Sequence, residues 1–395
     1  MLLKPTSRIL PIIVIAQFFC TSLWFAGNGV MKDLVLNFNL SEDAVGHLTS
    51  AVQFGFIFGT LLFAFLTIAD RFSPSKVFFI CAICGAFINL GILWEENSFT
   101  GLMIFRFLTG FTLAGIYPVG MKIASDYFDK GLGKSLGFLV GALVLGTALP
   151  HLLNEISGSN ALPWKTVIMA TSFLALAGGI LIYFFVPNGP YRTQRSKFDT
   201  ALFFKVFKTE RFRAAAFGYF GHMWELYAFW AFIPFILKIY QEYHPFTHFN
   251  ISLWSFIIIA SGTVACILAG YLSEKLGTRK VAGGFLTLSG ICCLASSLFF
   301  VFASEGIFIL FLIFWGFVVV GDSPLFSTLV AHNSPAENRG TALTIVNCIG
   351  FAITILSIQL ITLLLNSIEQ KNLFIILSLG PIFGIFALKP FRKEY

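Results

Sequence analysis

The sequence predicts an all-α, polytopic membrane protein whose twelve transmembrane helices form two pseudo-symmetric six-helix bundles. Three observations predict it. First, only 11% of the 395 residues are charged, against 57% hydrophobic and 17% aromatic, and the mean hydropathy is +0.85. A soluble domain carries about 25% charged residues. Too few charges are present to coat a globule in water, so the natural solvent of this surface is lipid. That excludes an ordinary cytosolic enzyme, a disordered chain and, despite a net charge of +7, a nucleic-acid binder. Second, the apolar runs are continuous and of membrane-spanning length, about 20 residues each. Lipid satisfies no backbone hydrogen bond, so runs that do not alternate read as helices. Third, features of the first half recur 204 to 206 residues later.

The apolar runs fall near residues 9–31, 45–69, 77–94, 100–124, 135–156, 166–186, 214–238, 251–272, 281–302, 306–331, 340–364 and 372–389. Lys4 and Arg8 precede the first run, as in a secretory signal. The run continues through Trp24 and Phe25 without a small-x-small cleavage site, so it reads as helix one. An even number of crossings puts both termini on one side. The tails and loops of that side hold twenty of the 26 Lys and Arg residues. The opposite loops hold only Lys32, Lys165, Lys238 and Lys371. Positive residues stay cytoplasmic, which predicts cytoplasmic termini in an inner or plasma membrane. All seven cysteines lie within apolar runs, so no disulfide framework is expected. Cys81-x-x-Cys84 has no second Cys or His pair beside it and reads as packing.

The longest polar stretch, 187–213, divides residues 1–186 from residues 214–395, with six helices on each side. Two echoes link the halves. Asp70-Arg71 ends helix two and Glu274-Lys275 ends helix eight, 204 residues on. Gly110, Gly115 and Pro118 of helix four match Gly316, Gly321 and Pro324 of helix ten, 206 residues on. A duplicated six-helix unit is the pattern of parallel-repeat transporters.

These residues resemble the major facilitator superfamily of secondary transporters over essentially the whole chain. Gly270 to Lys280 is similar to the family's loop signature, Gly-x3-Asp/Glu-Lys/Arg-x-Gly-x-Arg-Lys. The first-half copy keeps Asp70, Arg71 and Lys76 but has Leu66 and Ser73 where the family usually has glycine. Arg106 with Gly110 and Gly115 resembles the fourth-helix motif, and 335–340 the loop before helix eleven. The resemblance implies a cytoplasmic latch made of Asp70, Arg71, Glu274, Lys275 and Arg279. In the family fold, Asp70 would lie near Gly340 at the start of helix eleven and Glu274 near Ser135 at the start of helix five. A carboxylate at a helix N-terminus gains about 0.3–1 kcal/mol. Such contacts between halves would favour the outward-open state. The alternative is that these are ordinary helix-end charges.

Few ionisable groups lie well inside the runs: Arg106, His222, Glu225 and Asp322. Each mid-membrane charge costs roughly 2.5–3.5 kcal/mol, so these should face a wet cavity or one another. Arg106 has two readings. It fixes helix four to helices one and two through carbonyls and Asn or Gln side chains, with Gln17, Asn28 and Gln53 available, or it serves as a cavity cation that binds an anionic group or controls a nearby proton site. His222 and Glu225 are i, i+3 neighbours on one helical face. Glu225 sits near mid-membrane, where a desolvated carboxyl holds a proton more readily, and is a candidate proton-coupling site. The alternative is a Glu–His pair bonded to the bundle interior. Helix ten is expected to bend at Pro324, where Asp322 is either a second protonation or substrate site or a cap on the broken turn. Trp24, Tyr117, Trp224, Tyr227, Trp230 and Trp254 are aromatic cavity candidates. Lys122 is expected to snorkel and to reach Asp70.

No Walker loop, dinucleotide fingerprint or zinc spacing is present, so no cofactor is expected. The expected function is alternating-access transport of a small solute by a monomer in the bilayer, proton-coupled, with uptake favoured. Helix five lacks the Gly-Pro common in the family's drug exporters, but efflux stays the alternative. A receptor or a membrane enzyme is the rival from another class. The histidines show no catalytic pairing in sequence, and the tails are too short for a signalling domain.

Overall fold

The computed structural model describes residues 5–41, 43–127, 132–157, 163–192, 206–334, 339–365 and 367–388. Eleven helices among them are long and apolar enough to cross a membrane. The remaining crossing, helix one, is broken: Pro5–Thr21 is followed by turns, then by Ala26–Gly29 and Met31–Asn37. The break follows from local chemistry. The Thr21 and Ser22 hydroxyls donate back to the carbonyls of Gln17 and Phe19, competing with the helical ladder, and Gly27 and Gly29 stiffen the chain little. Helix seven starts at Glu210, before the run expected from 214, and reaches Tyr243. Residues 193–205 of the central polar stretch lie outside the described residues.

Helices four and ten share a design. Helix four is Phe99–Leu113 and then Tyr117–Tyr127, and helix ten is Glu305–Gly321 and then Ser323–His332. Both break just before the matched proline, which supplies no amide to the preceding turn. The matched glycines also make matched contacts. A Cβ on Gly110 would sit 1.9 Å from the Val52 carbonyl oxygen of helix two (Ala44–Phe65). A Cβ on Gly316 would sit 2.2 Å from the Ile258 carbonyl oxygen of helix eight (Ile251–Leu276). In each half these glycines let two backbones touch, which is how helices associate where solvent supplies no hydrophobic drive.

The halves meet along two seams. Helix five (Leu132–Ser157) runs along helix eight: the Thr263 hydroxyl donates to Gly141 O at 3.2 Å, and Asn154 Nδ2 to Ser252 Oγ at 3.1 Å. Helix two runs along helix eleven (Arg339–Leu364): Gln359 Nε2 donates to Gly46 O at 3.2 Å and to Ser50 Oγ at 2.8 Å. The Asn154 and Gln359 contacts lie on the face opposite the loops at 66–73 and 277, so the halves touch on that face. Exposed side chains such as Phe54, Phe87, Phe173, Leu310 and Leu363 cover the outside, an apolar surface suited to acyl chains.

Candidate functional site: a central aromatic layer backed by buried charges

Between the seams, aromatic rings from both halves meet. Trp24 of helix one stacks on Phe351 of helix eleven at 5.5 Å and lies 5.8 Å from Tyr227 of helix seven. Tyr117 of helix four meets Trp24 edge-on at 6.3 Å, and Trp230 meets Phe25 edge-on at 6.3 Å. Such pairs contribute about 0.5–1.5 kcal/mol beyond the area they bury. The Trp24 indole N–H donates to Gln53 at 3.2 Å, which fixes the ring against helix two. A void of about 10 Å³ remains beside this layer, lined by residues of both halves including Tyr117, Val140, Tyr219, Tyr227, Trp230 and Ser323. It has room for about one water, so the centre is occluded.

The buried charges stand behind this layer, one set in each half. Arg106 is 2% exposed and donates to the carbonyls of Leu23, at 3.1 Å, and Trp24. These are the acceptors that the break in helix one releases. The expected side-chain partners go elsewhere: Asn28 donates to the Thr49 hydroxyl at 2.7 Å, Gln53 accepts from Trp24, and Gln17 has no partner among the described residues. Backbone carbonyls outcompete amides here because the guanidinium fork reaches two adjacent ones together.

In the second half, His222 and Glu225 share a helical face but do not pair. His222 Nδ1 lies 2.8 Å from Asp322 Oδ1, joining helix seven to the break in helix ten. Glu225 accepts from the Trp315 indole N–H at 2.6 Å and from the Ser289 hydroxyl at 2.8 Å. Both carboxylates are at most 1% exposed and face the interior of the second bundle. Asp322 therefore meets a histidine, and its side chain makes no capping hydrogen bond to the next turn. Trp224 corrects another expectation. Its N–H donates to Ile376 O at 3.2 Å, on the segment leading into helix twelve (Leu379–Ala387), away from the central layer. Trp254 is half-buried on helix eight, outside that layer.

The loop charges are placed unequally. Asp70 pairs with Lys122 of helix four at 2.9 Å, inside its own half, and Gly340 is exposed. Asp70 follows a tight turn at Thr67, which has φ of 50°. Arg71, Glu274 and Lys275 are exposed. Arg279 donates to Leu388 O at the end of helix twelve. The second-half loop reaches the other half by a different route: Lys134 of helix five lies 4.6 Å above the Tyr271 ring, with Glu274 as a charged neighbour.

Sequence reasoning missed Trp315, Ser289, Tyr219 and Phe351. Trp315 directly precedes the repeated Gly316, and Tyr219 lies one turn before His222. Both positions were visible, but neither reveals which way its side chain turns.

The sequence profile of the Major Facilitator Superfamily matches residues 13–387. The benzoate transport protein of Acinetobacter baylyi is 29% identical over 144 residues, which cover 34% of this chain and 30% of that protein. The matched segment thus spans less than a third of that relative's length. Among solved structures, the human organic anion transporter TETRAN superposes with a TM-score of 0.73 at 13% identity, covering 98% of this chain and 100% of that one. A proton:xylose symporter bound to 6-bromo-6-deoxy-D-glucose superposes with a TM-score of 0.71 at 16% identity, covering 96% and 94%. At these identities the superpositions establish the fold. With the profile covering nearly the whole chain, the repeated break in helices four and ten falls into place: the chain belongs to the major facilitator superfamily.

Proposed function

We propose that the protein is a secondary active transporter that takes up a small solute by alternating access, driven by protons. The observation that carries this reading is the arrangement at the centre. An occluded void walled by both halves is backed by a cation in one half and an acid–imidazole pair in the other. A seam walled by two rigid bundles opens toward either face as they rock. Mid-membrane acids are costly unless they serve ion movement or pair internally. The His222–Asp322 contact crosses from helix seven to the break in helix ten, so a change of protonation there bears on the bend itself. Glu225, with both oxygens engaged by donors, backs this pair one turn further along helix seven. Arg106 holds the break in helix one. The basic bias of one set of loops supports cytoplasmic termini, and the working unit is a monomer in the cell membrane.

Purified protein in proteoliposomes with an imposed pH gradient tests this. Uptake accelerated by an inward proton gradient is expected for the native protein, with the acceleration lost in Asp322→Asn and reduced in Glu225→Gln. Equal flux with and without the gradient in the native protein removes the coupling. Flux in the opposite sense makes it an efflux pump.

A further inference from the structure

Four polar groups at the centre of the molecule are left unexplained by packing. The indole N–H of Trp230 is fully buried and has no acceptor among the described residues. The hydroxyls of Tyr117, Tyr219 and Tyr227 belong to residues only 8%, 5% and 2% exposed. Those three hydroxyls make no hydrogen bond among the described residues, unlike the hydroxyls of Tyr127, Tyr240 and Tyr271. Tyr117, Tyr219, Tyr227 and Trp230 all line the same void, together with Ser323. The three phenols are electrostatic neighbours of one another. A buried donor without an acceptor is destabilising, and native proteins retain few of them. The Trp230 N–H is such a donor, and with three unbonded hydroxyls around the same void it marks a place where a ligand supplies the missing partner.

The chemistry of the wall narrows that ligand. No ionised side chain lines the void, because Arg106 is held by backbone carbonyls and the buried acids by His222, Trp315 and Ser289. A charged ligand would therefore be desolvated without a counter-ion. The indole N–H only donates, and hydroxyls donate or accept, so the wall asks for an oxygen acceptor. The rest of the lining is Val140, Leu143, Met223, Leu226, Val320 and Phe351, which suits an apolar body. Tyr117 comes from the first half, and Tyr219, Tyr227 and Trp230 from the second, so parting the halves widens the void to admit a ring.

We infer that this void is the recognition point for an uncharged, ring-sized, largely apolar solute carrying one oxygen acceptor, held by the Trp230 N–H and the hydroxyls of Tyr117, Tyr219 and Tyr227. This rests on the transporter reading and narrows it to a substrate class.

The full chain in lipid nanodiscs is titrated with benzamide, benzoate, benzylamine and toluene, following tryptophan fluorescence and thermal unfolding. Benzamide is expected to quench the fluorescence and raise the Tm. Tyr117→Phe and Tyr227→Phe should each weaken benzamide roughly five- to tenfold, the effect of one lost hydrogen bond. Their unliganded Tm should be little changed, because each keeps the ring and loses no hydrogen bond within the protein. The inference is overturned if benzamide fails to bind, or if benzoate or benzylamine binds more tightly. It is equally overturned if toluene binds as well as benzamide, or if the Phe variants bind it unchanged. Single-cysteine labelling on the two faces separates the outcomes. If both faces label in turn while benzamide fails, the substrate class falls and the transporter reading stands. Labelling on one face alone removes the transporter reading.

Discussion

The two halves repeat one scaffold but carry opposite chemistry. Helices four and ten break at matched positions and press matched glycines onto helices two and eight. Yet behind the central layer the first half sets Arg106 on backbone carbonyls, while the second sets two acids and an imidazole on side chains. Ile116 stands where the second half has Asp322. The loops differ in the same way. Gly277 takes φ of 90° without penalty, whereas Thr67 takes φ of 50°, a conformation costly for a β-branched residue. The lesson is that duplication preserves what close packing demands, because a glycine at a backbone contact has no substitute. Charges facing an interior are free to diverge as long as each finds a partner.

The largest effect expected from breaking this comparison is at the repeated glycines. Gly110→Val and Gly316→Val each drive a side chain into a carbonyl of the neighbouring helix. Each should cost several kcal/mol, at or beyond the roughly 1–3 kcal/mol typical of overpacking, and should abolish folded protein in fluorescence-detected size-exclusion profiles. If one half tolerates the change and the other does not, the scaffolds are not equivalent. Next comes Arg106→Met, which strands the Trp24 carbonyl and leaves Leu23 O only its turn bond from the Ala26 N–H. With charge-assisted bonds contributing about 1.5–3 kcal/mol, the Tm in detergent should fall by several degrees, and Arg106→Lys should recover part of the loss. Asp322→Asn should change stability less than Arg106→Met while removing the response to a pH gradient, which separates a functional charge from a structural one. The smallest effect is at the surface loops. Asp70→Asn breaks a partly exposed pair of about 0–1 kcal/mol within one half, so its effect on cysteine accessibility at the two faces should be slight. Glu274→Gln, beside Lys134 of the opposite half, should shift that accessibility further toward the inward-open state. Equal effects of the two would erase the asymmetry between the loops.

Much of the fold was legible in the sequence because lipid makes backbone satisfaction a local matter. A continuous apolar run must be a helix wherever it occurs, and the runs near 45–69 and 251–272 became Ala44–Phe65 and Ile251–Leu276. The break in helix ten was legible from Pro324, and the matched Pro118 lies at the break in helix four, but the break in helix one was not legible. No proline sits at Ser22–Phe25, and the irregular turn is stabilised by Arg106, 83 residues away from Leu23. The candidate site was legible by residue type and not by direction. Glu225 and His222 share a face three residues apart, yet one bonds helices nine and ten and the other bonds Asp322. Trp224 and Tyr227 flank Glu225, yet one turns to helix twelve and the other to the centre.

The sequence by itself determined the solvent, the helices and the repeat. Hydropathy, loop charge and glycine spacing each act over a few residues or along one helix, and they need no knowledge of neighbours. The tertiary structure alone decided which buried groups are partnered and which are left waiting. Arg106 ended on two carbonyls, Asp70 on a lysine of its own half, and the hydroxyls of Tyr117, Tyr219 and Tyr227 around one small void. The physical reason is that a helix face spreads its side chains over a wide arc. A polar group in lipid takes the nearest partner across a helix contact, and that contact is set by how the helices pack.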